Sequence, residues 1–251
     1  MQLTNKALIL SSSLVMISIF FSYWQKLNLE KDIIIGTLRA IIQLFIVGYL
    51  LNYIFNLESY IFTTILLILM IYNASITSAK RVPTIKNIKI ISFVSIFIGT
   101  TVTLFVLLIS KAIIYTPNEI IPISGMIISN AMVALSLSFK NLYSNFQSNK
   151  KEVETKLSLG ANKYQASKNF INDAIRTGMV PTIDSSKTLG IVSLPGMMSG
   201  LILAGVNPIE AVKYQILVTF MLIATTSISS FIAIYLAYKS FYNENLQLID
   251  K

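Results

Sequence analysis

The side chains that could do chemistry are few, and the missing types are as informative as those present. The 251 residues contain no histidine and no cysteine. That removes imidazole and thiolate metal ligands, cysteine nucleophiles and histidine general bases together. A membrane-embedded enzyme would have little from which to build a nucleophile, base or metal constellation. Met197 and Met198 offer thioethers, which suit copper(I) rather than a hard cation. With no histidine or cysteine beside them, no tight metal site is expected. Lys187-Thr188 resembles the end of a phosphate-binding loop, but Pro181 and Ser186 stand where that loop needs glycine. The chain has no nucleotide cradle, so no catalytic residue is assigned and no cofactor is expected on it.

The polar residues of interest sit in apolar surroundings. Arg39 and Gln43, four apart in an apolar run, share a helix face. A charge inside a span points to function; equally, Arg39 is six residues in, about 9 Å by helical rise, and can snorkel to the interface. Ser193-Leu194-Pro195-Gly196-Met197-Met198-Ser199-Gly200 frees backbone carbonyls that can line a polar pathway. Gly196, Gly200 and Ala204 also form a small-residue face for helix packing, which is the preferred reading. Thr219, Thr226 and Ser230 lie on one face of a late apolar run, with Thr225, Ser227 and Ser229 nearby. Such hydroxyls hydrate a solute, or bond to their own helix or across helices. Asn73 and Asn130, isolated amides in mid-run, carry the same two readings.

The elements that must position these residues are membrane spans. Hydrophobic residues make up 54% of the chain and charged residues 12%, against roughly 25% charged in an ordinary soluble domain. The apolar residues come in blocks of roughly 20, the length that crosses a bilayer core. Seven spans are expected: Leu8–Trp24, Ile33–Phe55, Tyr60–Ala79, Ile90–Ile109, Ile120–Phe139, Gly190–Val206 and Tyr214–Tyr238. Each should be helical, because lipid offers nothing else to the backbone. The sixth is short and holds Pro195, Gly196, Gly200 and Gly205, so a broken or re-entrant helix is the alternative there. The first lacks a basic lead and a cleavage site and reads as a retained span. The fold class is therefore all-α and polytopic, a single transmembrane domain over 1–251.

Net charge is +9. In a soluble protein that would raise nucleic acid; here its use is orientation, and no nucleic-acid partner is expected. Sixteen lysines and arginines fall on one set of connections and three, Lys6, Lys111 and Lys213, on the other, with Arg39 inside a span. Positive residues concentrate on the cytoplasmic side. The N-terminus is thus expected outside and the C-terminus inside, in a plasma or inner membrane.

One connection, Lys140–Leu189, is about fifty residues, longer than loops without structure of their own. It should be a helical cytoplasmic loop. Glu152 four before Lys156 is a favourable helix pair. Val153 and Leu157 share a face, and Gly160 is a helix stop. A second helix should start near Asn162 and end or break at Pro181. In Glu154-Thr155-Lys156-Leu157-Ser158-Leu159-Gly160-Ala161, the spacing of Glu154 and Gly160 resembles the coupling loop of ABC importer permeases, a short helix docked on the ATPase. Thr155 and Lys156 replace that motif's alanines. A solvated amphipathic helix is the plain alternative. The expected coupling residues are Val153, Glu154, Leu157, Gly160 and Ala161.

The block Val180-Pro181-Thr182-Ile183-Asp184-Ser185-Ser186-Lys187-Thr188-Leu189-Gly190, continuing through Ser193–Gly200 and Ala204–Pro208, resembles the FetB family of permeases. So do Tyr214-Gln215-Ile216 and Arg39-Ala40 with Gln43-Leu44. The resemblance extends over essentially the whole chain. It implies an ABC-type exporter of two permeases and two ATPases, with ATP and magnesium held by the ATPase subunit. Bacterial members are linked to iron export and resistance to oxidative stress. Plant relatives are linked to aluminium tolerance, one of them to movement of UDP-glucose. The expected assembly is a homodimer of the permease, and the metal site, if any, is not identified. Expected pathway or gate residues are Arg39, Gln43, Asn130, Ser193, Pro195, Gly196, Met197 and Thr219. A secondary transporter or channel is the other reading; no internal repeat and no intramembrane carboxylate is visible to support it.

Overall fold

The structure, a computed structural model, describes residues 10–57, 59–82, 84–243 and 247–249. The expected start of the first span at Leu8, the lysine at position 6 and Pro83 lie outside the described residues. The chain divides into two compact units, Met1–Glu58 and Ser59–Lys251.

The first unit holds α1 (Ser13–Trp24) and α2 (Glu30–Leu57). α1 ends where Lys26 takes a left-handed φ of 52°. The N–H of Leu27 then donates to the Ser22 carbonyl at 3.0 Å, and that of Lys26 to Tyr23 at 3.2 Å, closing the last turn. Buried Ser22 ties the two helices: its hydroxyl donates to Glu30 Oε1 at 2.7 Å and accepts from the Leu29 N–H at 3.1 Å.

The second unit holds α3 (Tyr60–Ala79), α4 (Ile88–Ile109), α5 (Pro117–Ser148), α6 (Lys150–Ser158), α7 (Lys163–Thr188), α8 (Gly196–Leu203) and α9 (Pro208–Ala237), followed by a 3-10 turn, Tyr238–Phe241. Proline opens both α5 and α9 in the first turn, where its missing N–H costs nothing. Asn207 caps α9 by accepting from the Ile209 N–H at 2.9 Å. Asn162 and Gln165 form a reciprocal capping box at the start of α7.

Among the described residues, five helices are long and apolar enough to cross a membrane, within Glu30–Leu51, Tyr60–Ala79, Ile88–Ile109, Pro117–Ser148 and Pro208–Phe241. These contain the expected third, fourth, fifth and seventh spans, and the second, Ile33–Phe55, lies within α2. The first appears as the twelve-residue α1. At the sixth, the alternative of a broken helix is the one found: Gly190–Val206 contributes only the eight-residue α8, about 12 Å of rise and too short to cross by itself. Gly205 stops it at φ +91°, its N–H bonding to Ile202 and that of Val206 to Leu201.

The segment Lys140–Leu189 is corrected. Residues 140–148 simply continue α5. Pro181 does not end the second helix; α7 runs through it to Thr188. The proline removes one N–H that would have bonded the Thr177 carbonyl, and neighbouring helices hold the rest. α7 climbs back along α5 in the opposite direction. Near its start Phe170 meets Phe146, ring centres 5.5 Å apart, and Asp173 accepts from Asn145 Nδ2 at 2.9 Å. Two turns on, Gly178 lies against Ala134 and Ser138. The buried stripe Ala166, Ser167, Phe170, Ile171, Ala174, Gly178 makes this possible.

The packing uses small and hydroxylic residues rather than hydrophobic expulsion, since lipid is as apolar as leucine. Thr103 of α4 and Thr225 of α9 share a hydrogen bond of 2.7 Å. Gly99 admits Ser229 of α9 against the α4 backbone. Large apolar side chains such as Phe105, Ile109 and Phe220 point outward, as expected where lipid is the solvent. Ile71, Ile96, Ile127, Leu135 and Ile234 are fully buried in the core.

Candidate functional site

Three of the expected pathway residues come together. Asn130 of α5, Thr219 of α9 and Pro195 before α8 line one cavity of about 270 Å³. Four residues that the sequence reading missed complete its polar wall: Thr182, Ser185 and Ser186 of α7, and Gln215 of α9. Asn130 donates from Nδ2 to the Met126 carbonyl at 2.9 Å, and Thr219 from its hydroxyl to the Gln215 carbonyl at 2.9 Å. Gln215 is 9% exposed, and its Oε1 has no hydrogen-bond partner. An amide oxygen buried without a partner is costly, so this acceptor marks a place where a donor or cation is favoured.

The signal for α7's part was available. Ala166, Phe170, Ala174 and Gly178 recur at helical spacing up to Pro181. A proline inside a helix stops it only where no neighbouring helix supports the turn, and here the helix continues through Pro181 to Thr188.

The remaining expected pathway residues lie elsewhere. Met197 joins Met126 and Met221 in a second cavity of about 670 Å³, at the Pro117 end of α5, with Lys111, Glu119 and Tyr214 also on its wall. Ser193 is exposed, in a tight turn where Gly190 (φ +80°) donates to its carbonyl at 2.9 Å. Gly196 is exposed at the start of α8. Arg39 and Gln43 are exposed on α2 of the first unit.

Within the described residues of this chain, the small-residue face of Gly196, Gly200 and Ala204 is open. A Cβ placed at Gly196 or Gly200 meets nothing within 4 Å, and Ala204 is exposed. Within this chain, the close glycine approaches are at Gly99 and Gly178 instead. The hydroxyl face of α9 is mostly glue. Thr225 and Thr226 bond back to the Met221 and Leu222 carbonyls, while Ser229 and Ser230 are buried between helices.

A second feature is the short helix α6. Glu152 and Lys156 pair at 2.6 Å, as the spacing predicts. Gly160 takes φ +89°. Its N–H donates to Leu157 at 2.9 Å and that of Ala161 to Lys156 at 3.0 Å, a glycine-terminated helix end. Of the expected coupling residues, Val153 is fully buried in its own chain, and Leu157 and Ala161 pack partly buried on the same core. Leu159 is the free apolar side chain, 83% exposed. Glu154 is exposed and pairs with Lys150 at 3.8 Å.

Beneath α6 lies an aromatic floor. Phe146 of α5 stacks on Phe241, ring centres 4.2 Å apart, with Phe170 and Tyr242 edge-on. Lys156 Nζ sits 6.0 Å from the centre of the Phe170 ring. Ser167 of α7 hydrogen-bonds the Tyr242 hydroxyl. Burial pushes the Tyr242 phenol above its usual range, opposed by that bond. Among the described residues, no three histidine, cysteine, aspartate or glutamate side chains cluster to hold a metal.

Apolar helices of spanning length, packed through small and hydroxylic residues and apolar on their outer faces, define a helical multi-pass protein of the cell membrane. The chain belongs to the family described as "Uncharacterised protein family (UPF0014)", whose pattern matches residues 5–242. It is 48% identical over 247 residues to the Escherichia coli K12 protein named "Probable iron export permease protein FetB", covering 98% of this chain and 95% of that one. It is 34% identical to Arabidopsis thaliana "Protein ALUMINUM SENSITIVE 3", over 93% of this chain and 86% of the relative. It is 39% identical to the Bacillus subtilis "UPF0014 membrane protein YjkA", over 96% of this chain and 97% of the relative. No solved structure matches the chain.

Proposed function

We propose that this chain is the membrane-spanning permease subunit of an ABC-type exporter, moving iron or another metal-related solute with ATP hydrolysed by a separate ATPase. The observation that carries the ATP coupling is α6: nine residues, stopped by Gly160, held to its own chain through buried Val153 and through Lys156 over the Phe170 ring, with Glu154 and Leu159 exposed. A rigid short helix on a rigid base is what a force-transmitting contact needs. The name of the Escherichia coli relative supports iron and export as the cargo and direction.

The chain has no nucleotide cradle, so ATP and magnesium belong to the partner and this subunit is not itself an enzyme. Two permeases and two ATPases form the complex, with both units of each chain acting as one permease domain. The exposed Gly196, Gly200 and Ala204, with Ile191, Val192 and Leu203 beside them, support a surface available to a second copy. The sixth crossing is α7 followed by α8, which keeps the number of crossings odd. The charge bias then supports the N-terminus outside and α6 in the cytoplasm.

A carrier not coupled to ATP is the second reading. The observation in its favour is Asp184, a carboxylate on the turn of α7 whose Thr182 and Ser185 share a cavity with Asn130 of α5. The deciding experiment is co-expression with the candidate ATPase, purification, and reconstitution in vesicles. Co-purification with iron-stimulated hydrolysis is expected. A chain that purifies alone and moves iron without ATP would sink the ABC reading.

A further inference from the structure

α7 carries charge at a level where the sequence alone places none. Asn130 stands midway along the apolar stretch Ile120–Phe139 of α5. Thr182, Ser185 and Ser186 line the same cavity as Asn130, so this turn of α7 lies level with the middle of that stretch. Asp184 belongs to that turn, one residue or about 1.5 Å of rise before Ser185. Lys187 Nζ is 2.9 Å from Asp184 Oδ1, the two side chains 68% and 59% exposed. Pro181, Ser185 and Thr188 beside them are exposed as well.

Ionised side chains at such a level face a bundle interior or a water-filled passage, not hydrocarbon. A second, separate observation lies on the cavity side of the same turn. Gln215, nine-tenths buried, holds an amide oxygen without a partner.

We propose that the exposed face of α7 from Pro181 to Thr188 lines the aqueous pathway, with Asp184 as its cation-attracting group and Lys187 as the tethered counter-ion. This rests on the permease reading and deepens it by assigning the pathway to named residues. The pair is neutral at rest, which limits the cost of holding charge at depth. An arriving cation competes for the carboxylate, and the lysine swings aside on its flexible stem. Ser185, which is both exposed and on the cavity wall, connects this face to the neutral oxygens of Asn130, Thr182 and Gln215. When the cation leaves, Lys187 pairs again, so binding stays weak enough for release.

The test uses the naturally cysteine-free full chain assembled with its ATPase in membranes. Asp184→Cys, Ser185→Cys and Thr188→Cys are treated with a small charged thiol reagent, with Phe105→Cys on the outer apolar face as control. All three should react at least tenfold faster than the control. Iron(II) is the probe for efflux: Asp184→Asn should lower it at least tenfold, Asp184→Glu should restore most of it, and Lys187→Gln should weaken discrimination between iron(II) and potassium. Control-like reactivity at all three positions in an assembled complex overturns the proposal. So does unchanged iron(II) efflux in Asp184→Asn. If the unaltered chain shows no ATP-driven efflux while these cysteines react, the ABC reading fails and the aqueous face stands.

Discussion

Gly178 of α7 faces Ser138 of α5 with no room for a methyl group between them, and the Ala134 carbonyl oxygen would lie 2.7 Å from a Cβ there. The hydroxyl can rotate away, but the carbonyl belongs to a helix backbone and cannot. Gly178→Ala should therefore destabilise the protein by about 1–3 kcal/mol through overpacking, and adding Ser138→Ala should not rescue it. Thermal unfolding in detergent, followed by size exclusion, reads both. Full rescue by Ser138→Ala would show that the backbones are not in contact.

Gly99 provides the contrast. Its nearest neighbour is the Ser229 side chain, while the nearest backbone atom, the Thr225 carbonyl oxygen, is 3.3 Å from a built Cβ. Gly99→Ala should destabilise, and Ser229→Ala should recover at least half of the lost melting temperature. The pair of double mutants thus separates side-chain from backbone contact at two glycines of one bundle.

At Gly160 the constraint is conformational, because a Cβ would meet only open space at φ +89°. Gly160→Val should cost about 1–2 kcal/mol locally, fraying the end of α6 while the bundle stays folded. Gly160→Asn, which tolerates left-handed backbone, should retain most function. ATPase co-purification is the measurement; normal binding by Gly160→Val would remove the need for a sharp helix stop.

The two faces of α6 predict opposite outcomes for the same change. Val153→Asp puts a carboxylate into a fully buried position and should reduce the yield of folded protein. Leu159→Asp, on an exposed side chain, should fold normally and lose ATPase binding by at least tenfold. If Leu159→Asp binds normally, α6 is a solvated helix rather than a coupling element.

Orientation is testable with single cysteines. Asn149→Cys, between α5 and α6, should be labelled by an impermeant reagent only after the membrane is opened. Asn118→Cys, exposed in the first turn of α5, should be labelled in intact cells. The reverse pattern would invert the topology.

The strongly apolar helices were legible because lipid imposes length and composition on any helix it surrounds, so Tyr60–Ala79 could be bounded from hydropathy alone. Gly160 was legible for a local reason: a helix stop needs a residue that accepts positive φ. α7 was legible at its start near Asn162 but not beyond Pro181, because one face of it packs on other helices rather than lipid, and a helix so placed is free to be polar. Packing of Gly178 against Ala134 decides that Pro181 is tolerated and that Thr182, Ser185 and Asp184 come level with Asn130 and Gln215. Val153 shows the same limit on a smaller scale. An apolar residue on an amphipathic helix must be covered, but whether its own chain or a partner covers it is settled only when the helices of the second unit pack together around it.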